Sequence, residues 1–359
     1  MTAWGLLRNL RLLTRRRLIA LSAAVGLTGA SPPPQRMIID ADPGVDDALA
    51  IFLALRSPEL KVEALTVVAG NVALETTLPN ALRLLEIAGR GDIPVAAGAA
   101  KPLRRRLMTA AYAHGNNGLG GVDFPAPSLR PVTEPAAALI RRRVRAAPGQ
   151  ITLVALGPLT NIADAFQADP ELPRLIRGLT VMGGSLSGGN ITPAAEFNFY
   201  TDPEAARAVF QAGAPIRMVG LDVTRKTAFS EAQITRLEQA PTAWGRASGR
   251  IMRASLAANR RTGADGGQAR AHDSMALASV IDPSLFTWAD VEIEIETAGE
   301  FSAGMSLGYR RTPRRRSALV DGDRRTTNEL SPFVANAKVA VEVEDARFMD
   351  FLIGRLTTP

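Results

Sequence analysis

Four aspartates crowd into one short stretch of the chain, the segment "IIDADPGVDDAL" at residues 38–49. Asp40, Asp42, Asp46 and Asp47 follow an apolar run, and like charges at such short range repel one another. A helix N-terminus could satisfy one or two of them, with Asp46 as the capping candidate, but not all four. A Ca²⁺ ion, which accepts about six to eight oxygen ligands, would supply the missing positive charge. The cluster therefore predicts a metal or catalytic site, although its spacing differs from an EF-hand loop.

Two later segments carry groups of compatible chemistry. In "GGNITPAAEFNFYTDPEAA" (188–206), Asn190, Glu196 and Asn198 precede a helix that Asp202-Pro203 should open. Amide and carboxylate groups in a concave loop suit a polyol such as a sugar, and ordinary loop capping is the alternative. In "AHDSMALASVIDP" (271–283), His272 stands beside an aspartate at the start of an apolar helix. Such a histidine can be structural, but the neighbouring carboxylate favours a functional role.

Strand and helix patterns alternate along most of the chain, which predicts an α/β fold with an open, mainly parallel central sheet and helices on both faces. Short β-branched runs predict strands at 37–39, 62–69, 93–96, 151–156, 178–182 and 216–221. Helical patterns fall near 46–56, 75–89, 134–146, 159–167 and 202–212. Ligands of such sheets bind at the carboxyl ends of the strands. The aspartate cluster, Asn71 and the loops after 151–156 and 178–182 should therefore meet.

The last third of the chain has a different pattern. Helices are expected over 230–258 and 272–281, and the strict alternation of "VEIEIET" after residue 290 predicts an exposed or edge strand. No internal repeat and no second linker interrupts the sequence. Residues 37–359 are therefore predicted to form a single domain.

Composition limits the chemistry that is available. The 359 residues include no cysteine and only two histidines, His114 and His272, so a thiolate site is impossible and a bound metal should be a hard cation. The net charge is +7, but five arginines lie within residues 1–30, and without them it is +2. Basic clusters elsewhere lack interleaved aromatic residues. We therefore expect no nucleic-acid partner.

The N-terminus has the anatomy of an export signal. Residues 1–30 combine a basic region, "TRRRLIAL" and an apolar run from Leu18 to Ala30, which resemble a twin-arginine signal peptide. Residues 31–36, "SPPPQR", would be a linker. The apolar run is too short to span a bilayer comfortably, so we expect a periplasmic or exported protein with no stable membrane span after processing. A cytoplasmic location is the alternative.

Seven segments together resemble the inosine–uridine-preferring nucleoside hydrolases, in that family's order and spacing. They are "IIDADPGVDDALAI", "VVAGN", "KPL…MTAAYAHGNNGLG", "LGPLTNIA", "VMGGSLSGGNITPAAEFNFYTDPEAA", "VGLDVT" and "HDSMALASVIDP". The similarity runs from about residue 36 to the end, and the D-x-D-P-G-x-D-D signature is specific. It implies the nucleoside hydrolase fold, with a Rossmann-like core, and Ca²⁺-dependent hydrolysis of a ribonucleoside to free base and ribose.

The resemblance also implies a role for individual residues. The metal ligands would be Asp42, Asp47, Asp273 and the carbonyl of Leu156. The ribose hydroxyls would be bound by Asp46, Asn71, Asn198, Asn190 and Glu196, with Met182 packed against the sugar. Asp42 would also act as general base toward a water on the metal, and His272 would protonate the departing base. Asp40 would support these residues without contacting the substrate. The resemblance also implies that the protein forms a dimer or tetramer.

Some features depart from the family or leave alternatives open. Residues 256–271, "LAANRRTGADGGQARA", lack the aromatic side chain that often lines the base pocket, so the choice between purine and pyrimidine stays open. The role of His114 in "HGNNG" is open as well. One alternative function is a periplasmic Ca²⁺-dependent nucleoside- or sugar-binding protein. Another is a phosphatase of haloacid-dehalogenase type, which "IIDAD" resembles, but Gly44 occupies the position where that class needs Thr or Val.

Overall fold

The computed structural model describes residues 33–310, 314–320 and 323–359, and the residues from Pro34 to Pro359 form one compact unit. The predicted signal peptide lies outside the described residues, as does the start of the predicted linker. Within the described ranges, no helix is both long enough and apolar enough to cross a membrane.

Among the described residues, nine strands form one sheet in the order β3-β2-β1-β4-β5-β6-β11-β7-β8. The strands are β1 (Gln35–Ala41), β2 (Leu60–Val67), β3 (Val95–Ala97), β4 (Thr152–Ala155), β5 (Gly178–Met182), β6 (Ile216–Val219), β7 (Phe286–Ile295), β8 (Ser306–Tyr309) and β11 (Ala337–Val343). β9 (Arg314–Val320) and β10 (Asp323–Ser331) form a separate antiparallel pair. Within the nine-stranded sheet, the seven strands β3, β2, β1, β4, β5, β6 and β11 are paired in parallel, and β7 is antiparallel to both of its neighbours, β11 and β8. The predicted α/β class with a mainly parallel sheet is confirmed.

Helices cover both faces of this sheet. They are α1 (Val45–Leu55), α2 (Leu74–Ile87), α3 (Ala111–His114), α4 (Ala136–Ala146), α5 (Thr160–Ala168), α6 (Leu172–Leu175), α7 (Phe197–Thr201), α8 (Pro203–Gln211), α9 (Leu221–Thr224), α10 (Glu231–Glu238), α11 (Ala243–Thr262), α12 (His272–Ile281) and α13 (Asp345–Thr357). Asp202 caps α8 through the backbone N–H of Ala205, with Pro203 in the first turn, as the sequence predicts.

The core has two apolar layers, one on each face of the sheet. Successive residues of β1 alternate between them, with Met37 and Ile39 in one layer and Ile38 in the other. Burying each such side chain stabilises the fold by about 1.5–3 kcal/mol. The continuous apolar run of this strand therefore reflects a sheet covered on both sides.

The structure corrects three boundaries. "VEIEIET" contributes to β7, which is not an edge strand because β8 pairs along its outer side. The segment 230–258 is two helices rather than one, α10 and α11, separated by a turn that contains Pro241. β1 begins at Gln35, so the last two residues of the predicted linker lie in the sheet.

Candidate active site

A pocket opens at the carboxyl edge of the sheet, where β1, β2, β4 and β5 end. Nine of the eleven predicted site residues line it: Asp46, Asn71, Leu156, Met182, Asn190, Glu196, Asn198, His272 and Asp273. The other two, Asp42 and Asp47, are completely buried and bind Asn71 directly. The structure thus brings all eleven residues to one place, from segments separated by more than two hundred positions in the chain.

Asp42 follows β1 and is held by the end of β2. The backbone N–H of Asn71 donates to Asp42 Oδ2 at 2.6 Å, whereas Oδ1 is buried and has no hydrogen-bond partner among the described residues. A Cβ at Gly70 would come within 2.1 Å of Oδ2, and a Cβ at Gly157 within 2.3 Å of Oδ1. Both positions require glycine because the carboxylate occupies the space that a side chain would fill.

Asp47, rather than Asp46, satisfies the N-terminus of α1. Its Oδ2 accepts from the backbone N–H of Gly44 at 2.9 Å and from Asn71 Nδ2 at 3.0 Å. Its Oδ1 accepts from the backbone N–H of Asp42 at 3.3 Å. Helix capping therefore explains the position of Asp47 alone. It does not explain why Asp40, Asp42 and Asp46 lie beside it.

Three of the buried carboxylates are close enough to share a cation. Oxygens of Asp46, Asp47 and Asp273 lie within 4.8 Å of one another. Burial, followed by the neighbouring carboxylates, raises the pKa of Asp42 and of Asp273 well above the ordinary value, and raises that of Asp47 to about 6. Such a group of like charges is costly in a dry environment unless a positive ion compensates it. An all-oxygen donor set of this kind fits a hard cation such as Ca²⁺.

The loop after β5 and helix α7 supply further polar groups of the pocket. Asn198 Nδ2 donates to the carbonyl of Leu156 at 2.8 Å, and Met182 Sδ lies 3.5 Å from the same nitrogen. Glu196 caps α7 by accepting from the backbone N–H groups of Asn198 and Phe199. Burial raises the pKa of Glu196, although these N–H donors oppose the shift. Glu196 therefore caps α7 and also lines the pocket.

Asn190 has a similar double position. Its Oδ1 accepts from the backbone N–H of Phe197 at 2.9 Å, which fixes the loop, and its side chain lines the pocket. Loop capping, one of the interpretations weighed for residues 188–206, is therefore present at Asn190, and the same side chain lies in the pocket.

His272 begins α12 and is buried at the pocket wall. Its Nδ1 is 2.8 Å from Thr224 Oγ1, and its Nε2 lies 3.4 Å from Asp265 Oδ1. Burial lowers the pKa of His272, but the carboxylates of Asp265 and Asp46 together more than offset this, so the pKa is raised overall. The ring is therefore anchored through Nδ1, whereas the buried Nε2 lies within ion-pair distance of the Asp265 carboxylate and makes no hydrogen bond among the described residues.

Asp40 is buried behind the pocket and does not line it. Its Oδ1 accepts from Thr66 Oγ1 at 2.5 Å and from Asn161 Nδ2 at 2.8 Å. Burial raises its pKa to about 7, against the effect of these hydrogen bonds. This position fits the supporting role that the sequence predicts.

Sequence reasoning missed several residues of the pocket. His114, for which no role was assigned, accepts from the backbone N–H of Val45 through Nδ1 at 3.2 Å and lies 3.9 Å from Asp46 Oδ1. Tyr112, Asn259 and Asp265 also line the pocket. Asp265 lies in a glycine-rich turn without periodicity, so the family resemblance marks its segment, 256–271, but not the residue itself.

Comparison with known proteins shows which class of enzyme has this α/β sheet and this acidic, amide-rich pocket. The class is the nucleoside hydrolases, which cleave N-glycosidic bonds. A family model described as inosine-uridine preferring nucleoside hydrolase matches residues 37–350. The chain belongs to this family. The phosphatase alternative is accordingly set aside.

Individual relatives agree with this assignment. A protein from Citrobacter koseri named pyrimidine-specific ribonucleoside hydrolase RihA is 40% identical over 322 residues, which cover 89% of this chain and 97% of the relative. The solved structure of a plant nucleoside hydrolase, the PpNRh1 enzyme, is 37% identical and superposes with a TM-score of 0.81 over 91% of this chain and all of the other. A purine-preferring ribonucleoside hydrolase from Gardnerella vaginalis is 29% identical, with a TM-score of 0.80 over 90% of this chain and 98% of the other.

Proposed function

We propose that this protein hydrolyses the N-glycosidic bond of ribonucleosides to free base and ribose in a Ca²⁺-dependent reaction. The observation that carries the proposal is the convergence of four buried carboxylates, Asp42, Asp46, Asp47 and Asp273, in or directly behind one pocket. No structural need of the fold accounts for so much buried negative charge. A cation before the reaction and a cationic sugar during it would both be stabilised there.

The chain's own oxygens would hold the metal. Asp42, Asp47, Asp273 and the carbonyl of Leu156 are the proposed ligands, and hard oxygen donors match the preference of Ca²⁺. When bound, such a cation lowers the pKa of a water molecule and orients the ribose diol. The hydrogen bonds from Gly44 and Asn71 to Asp47 hold that carboxylate in place.

Asp42 is the proposed general base. Its Oδ2 is fixed by the backbone N–H of Asn71, while its buried Oδ1 has no partner within the described part of the chain and can accept a proton from the attacking water. Burial and the neighbouring carboxylates raise the pKa of Asp42, so this carboxylate holds a proton more strongly than an ordinary one.

The remaining polar groups would bind the sugar. Asp46, Asn71 and Asn198 are proposed to bind the secondary hydroxyls, and Asn190 and Glu196 the primary one. Met182 lines the same pocket and offers an apolar contact for the ribose ring. As the glycosidic bond breaks, positive charge develops on the ring and the adjacent carboxylates stabilise it.

His272 is the proposed acid for the leaving base. Its ring is held through Nδ1 by Thr224, so that Nε2 can donate a proton to a base nitrogen. Protonation removes the negative charge that the departing base would otherwise carry.

A reducing-sugar assay tests the proposal. Purified residues 31–359 would be incubated with inosine, uridine, adenosine and cytidine, with Ca²⁺ or after exhaustive chelation. We expect release of ribose that disappears on chelation and returns with Ca²⁺. Undiminished rates after chelation would contradict the metal chemistry. Tight nucleoside binding without any turnover would instead favour the binding-protein alternative.

We also propose, from residues 1–30 alone, that the protein is exported through the twin-arginine route, and from the family that it forms a dimer or tetramer. N-terminal sequencing of protein from the cell envelope tests the first, because an intact Met1 in the cytosolic fraction contradicts it. Light scattering of the purified protein tests the second, and a monomer at micromolar concentration would refute it.

A further inference from the structure

The loop after β5 carries both groups that the proposed function assigns to the primary hydroxyl of the ribose. Asn190 and Glu196 line the pocket from this loop. Glu196 is buried and accepts from three backbone N–H groups, which fix its carboxylate. Asn190 is exposed and follows a glycine-rich stretch, "GGSLSGG" at 183–189. Glycine gives the backbone wide conformational freedom, so the position of Asn190 depends on contacts that hold this stretch.

One carboxylate holds the middle of the stretch. Asp222, the second residue of α9, accepts through Oδ2 from the backbone N–H of Leu186 at 2.8 Å. Its Oδ1 accepts from Ser187 Oγ at 2.7 Å and from Ser185 Oγ at 3.4 Å. A hydrogen bond to a charged acceptor is about twice as strong as a neutral one. A single side chain of another element therefore holds three consecutive residues of the loop.

The Asp222 carboxylate does not serve its own helix. Gly220 is the N-cap of α9, and no side chain caps that helix end. Within the described part of the chain, Asp222 forms no ion pair, and its side chain bonds only to the loop. The donors of the loop therefore compensate its charge.

Other contacts hold the two ends of the stretch. Ser306 Oγ on β8 accepts from the backbone N–H of Ser185 at 2.8 Å and donates to the carbonyl of the same residue at 2.6 Å. Arg225 donates to the carbonyl of Gly189 at 2.5 Å. None of these bonds involves Asp222. Removal of its carboxylate should therefore leave the loop attached at both ends and let the residues between them shift.

Asn190 has one amide atom to offer a substrate. Its Oδ1 accepts from the backbone N–H of Phe197, so Nδ2 is the atom that can donate to a hydroxyl. We propose that Asp222 is a positioning residue, which holds the loop so that Asn190 Nδ2 meets the primary hydroxyl of the ribose. This inference rests on the proposed function, because that function assigns the hydroxyl to Asn190 and Glu196.

The test compares kcat/KM for uridine with 5′-deoxyuridine, and for inosine with 5′-deoxyinosine, in wild type and Asp222→Ala. The 5′-deoxy substrates lack the primary hydroxyl and cannot use Asn190. We expect Asp222→Ala to lower the ratio of nucleoside to 5′-deoxynucleoside at least about fivefold, the usual effect of one hydrogen bond. Turnover of the 5′-deoxy substrates should stay within about twofold of wild type.

Two further variants accompany Asp222→Ala. Asp222→Asn should restore most of the ratio, because its amide oxygen can still accept from Leu186 and its Nδ2 can donate to a serine oxygen. Asp350→Ala is the matched control. It removes an exposed carboxylate of α13 and should keep the ratio within about twofold of wild type.

A double variant shows whether Asp222 acts through Asn190. If it does, Asp222→Ala should lower the ratio no further in a protein that already carries Asn190→Ala. Additive losses would overturn the inference. A general disturbance of the pocket would slow both members of each pair equally, and an unchanged ratio would overturn it as well. If Asp222→Ala does not fold, Ser187→Ala removes one of the bonds at an exposed position and should lower the ratio in the same direction.

The outcomes separate this inference from the proposed function. If wild type cleaves the nucleosides but the ratio does not respond to Asp222→Ala, the positioning role is refuted while the proposed function stands. Equal cleavage of uridine and 5′-deoxyuridine by wild type would refute it too, because the primary hydroxyl would then make no contribution. If wild type cleaves no nucleoside of either kind, the proposed function fails and the inference fails with it.

Discussion

The backbone N–H of Asn71, in the loop after β2, donates to Oδ2 of Asp42, the residue that follows β1, over 2.6 Å. One side of the carboxylate is thus tied to the neighbouring strand, and the other side is left without a protein partner among the described residues. The bond fixes the orientation of Asp42 through the main chain, so that no flexible side chain is needed. An arrangement of this kind suits a base that must meet a water molecule at one defined position.

Replacement of Asp42 by asparagine should abolish most of the activity. The amide can keep the shape of the side chain, but it cannot accept a proton, and general-base catalysis contributes about 10²–10⁴-fold to a rate. We expect kcat with the best nucleoside to fall at least about 100-fold while the circular dichroism spectrum is unchanged. Asp350→Asn should retain wild-type kcat. A loss of less than about threefold in Asp42→Asn would contradict the assignment of the base.

The glycines around Asp42 provide a test that leaves every polar group in place. A methyl group at Gly157 would meet Asp42 Oδ1 at 2.3 Å and displace it. We expect Gly157→Ala to lower kcat at least about tenfold and to destabilise the fold by about 1–3 kcal/mol in urea titrations. Gly354→Ala in α13 is the control, because nothing lies within 4 Å of its added methyl group and the helix should gain up to about 1 kcal/mol. Normal turnover in Gly157→Ala would show that the position of Asp42 is not critical.

Calcium should stabilise the folded protein, and Asp273 should be necessary for that effect. At a Ca²⁺ concentration of about 100 times Kd, binding adds about 2.7 kcal/mol, and Tm should rise by about 5 °C. Asp273→Asn should remove most of this response. In chelator, however, the variant should melt at or above the wild-type Tm, because one uncompensated buried carboxylate has been neutralised. A full calcium response in Asp273→Asn would place the metal elsewhere.

The sequence predicts the carboxylate side of the pocket well because strand ends are local features. Asp42, Asn71 and the loop after β5 each follow an apolar run, and the parallel arrangement brings such ends to one edge. The same reasoning cannot find β11, which pairs between β6 and β7 although it follows them both in the chain. That insertion depends on long-range pairing rather than on any pattern within the strand.

The part of the pocket that contains Tyr112, His114 and Asp265 is less predictable for a related reason. Asp265 lies in a turn whose backbone enters the left-handed region, so neither helical nor strand periodicity marks its direction. Tyr112 and His114 belong to a single helical turn, Ala111–His114, and reach the pocket only through packing against α1 and α11. The position of Tyr112 and His114 in the pocket therefore depends on long-range packing, which the local sequence does not predict.

His114 should make the metal-free protein less stable as the pH falls. Burial lowers the pKa of His114 to about 4, whereas in the unfolded chain it should be near 6.5. Between these values the unfolded chain binds a proton that the folded protein excludes, so stability is present above pH 6.5 and is lost as the pH falls toward 4. The contribution of this one residue between pH 7 and pH 5 is about 2 kcal/mol.

His114→Asn isolates that effect. Its amide oxygen can accept the N–H of Val45 in place of Nδ1, but it does not titrate in this range. In urea unfolding with chelator, wild type should lose about 2 kcal/mol more than the variant between pH 7 and pH 5. His272 and the buried carboxylates titrate in both proteins, so their contributions largely cancel in the comparison. Equal losses in the two proteins would mean that His114 is protonated in the folded state and does not act as the acceptor for Val45.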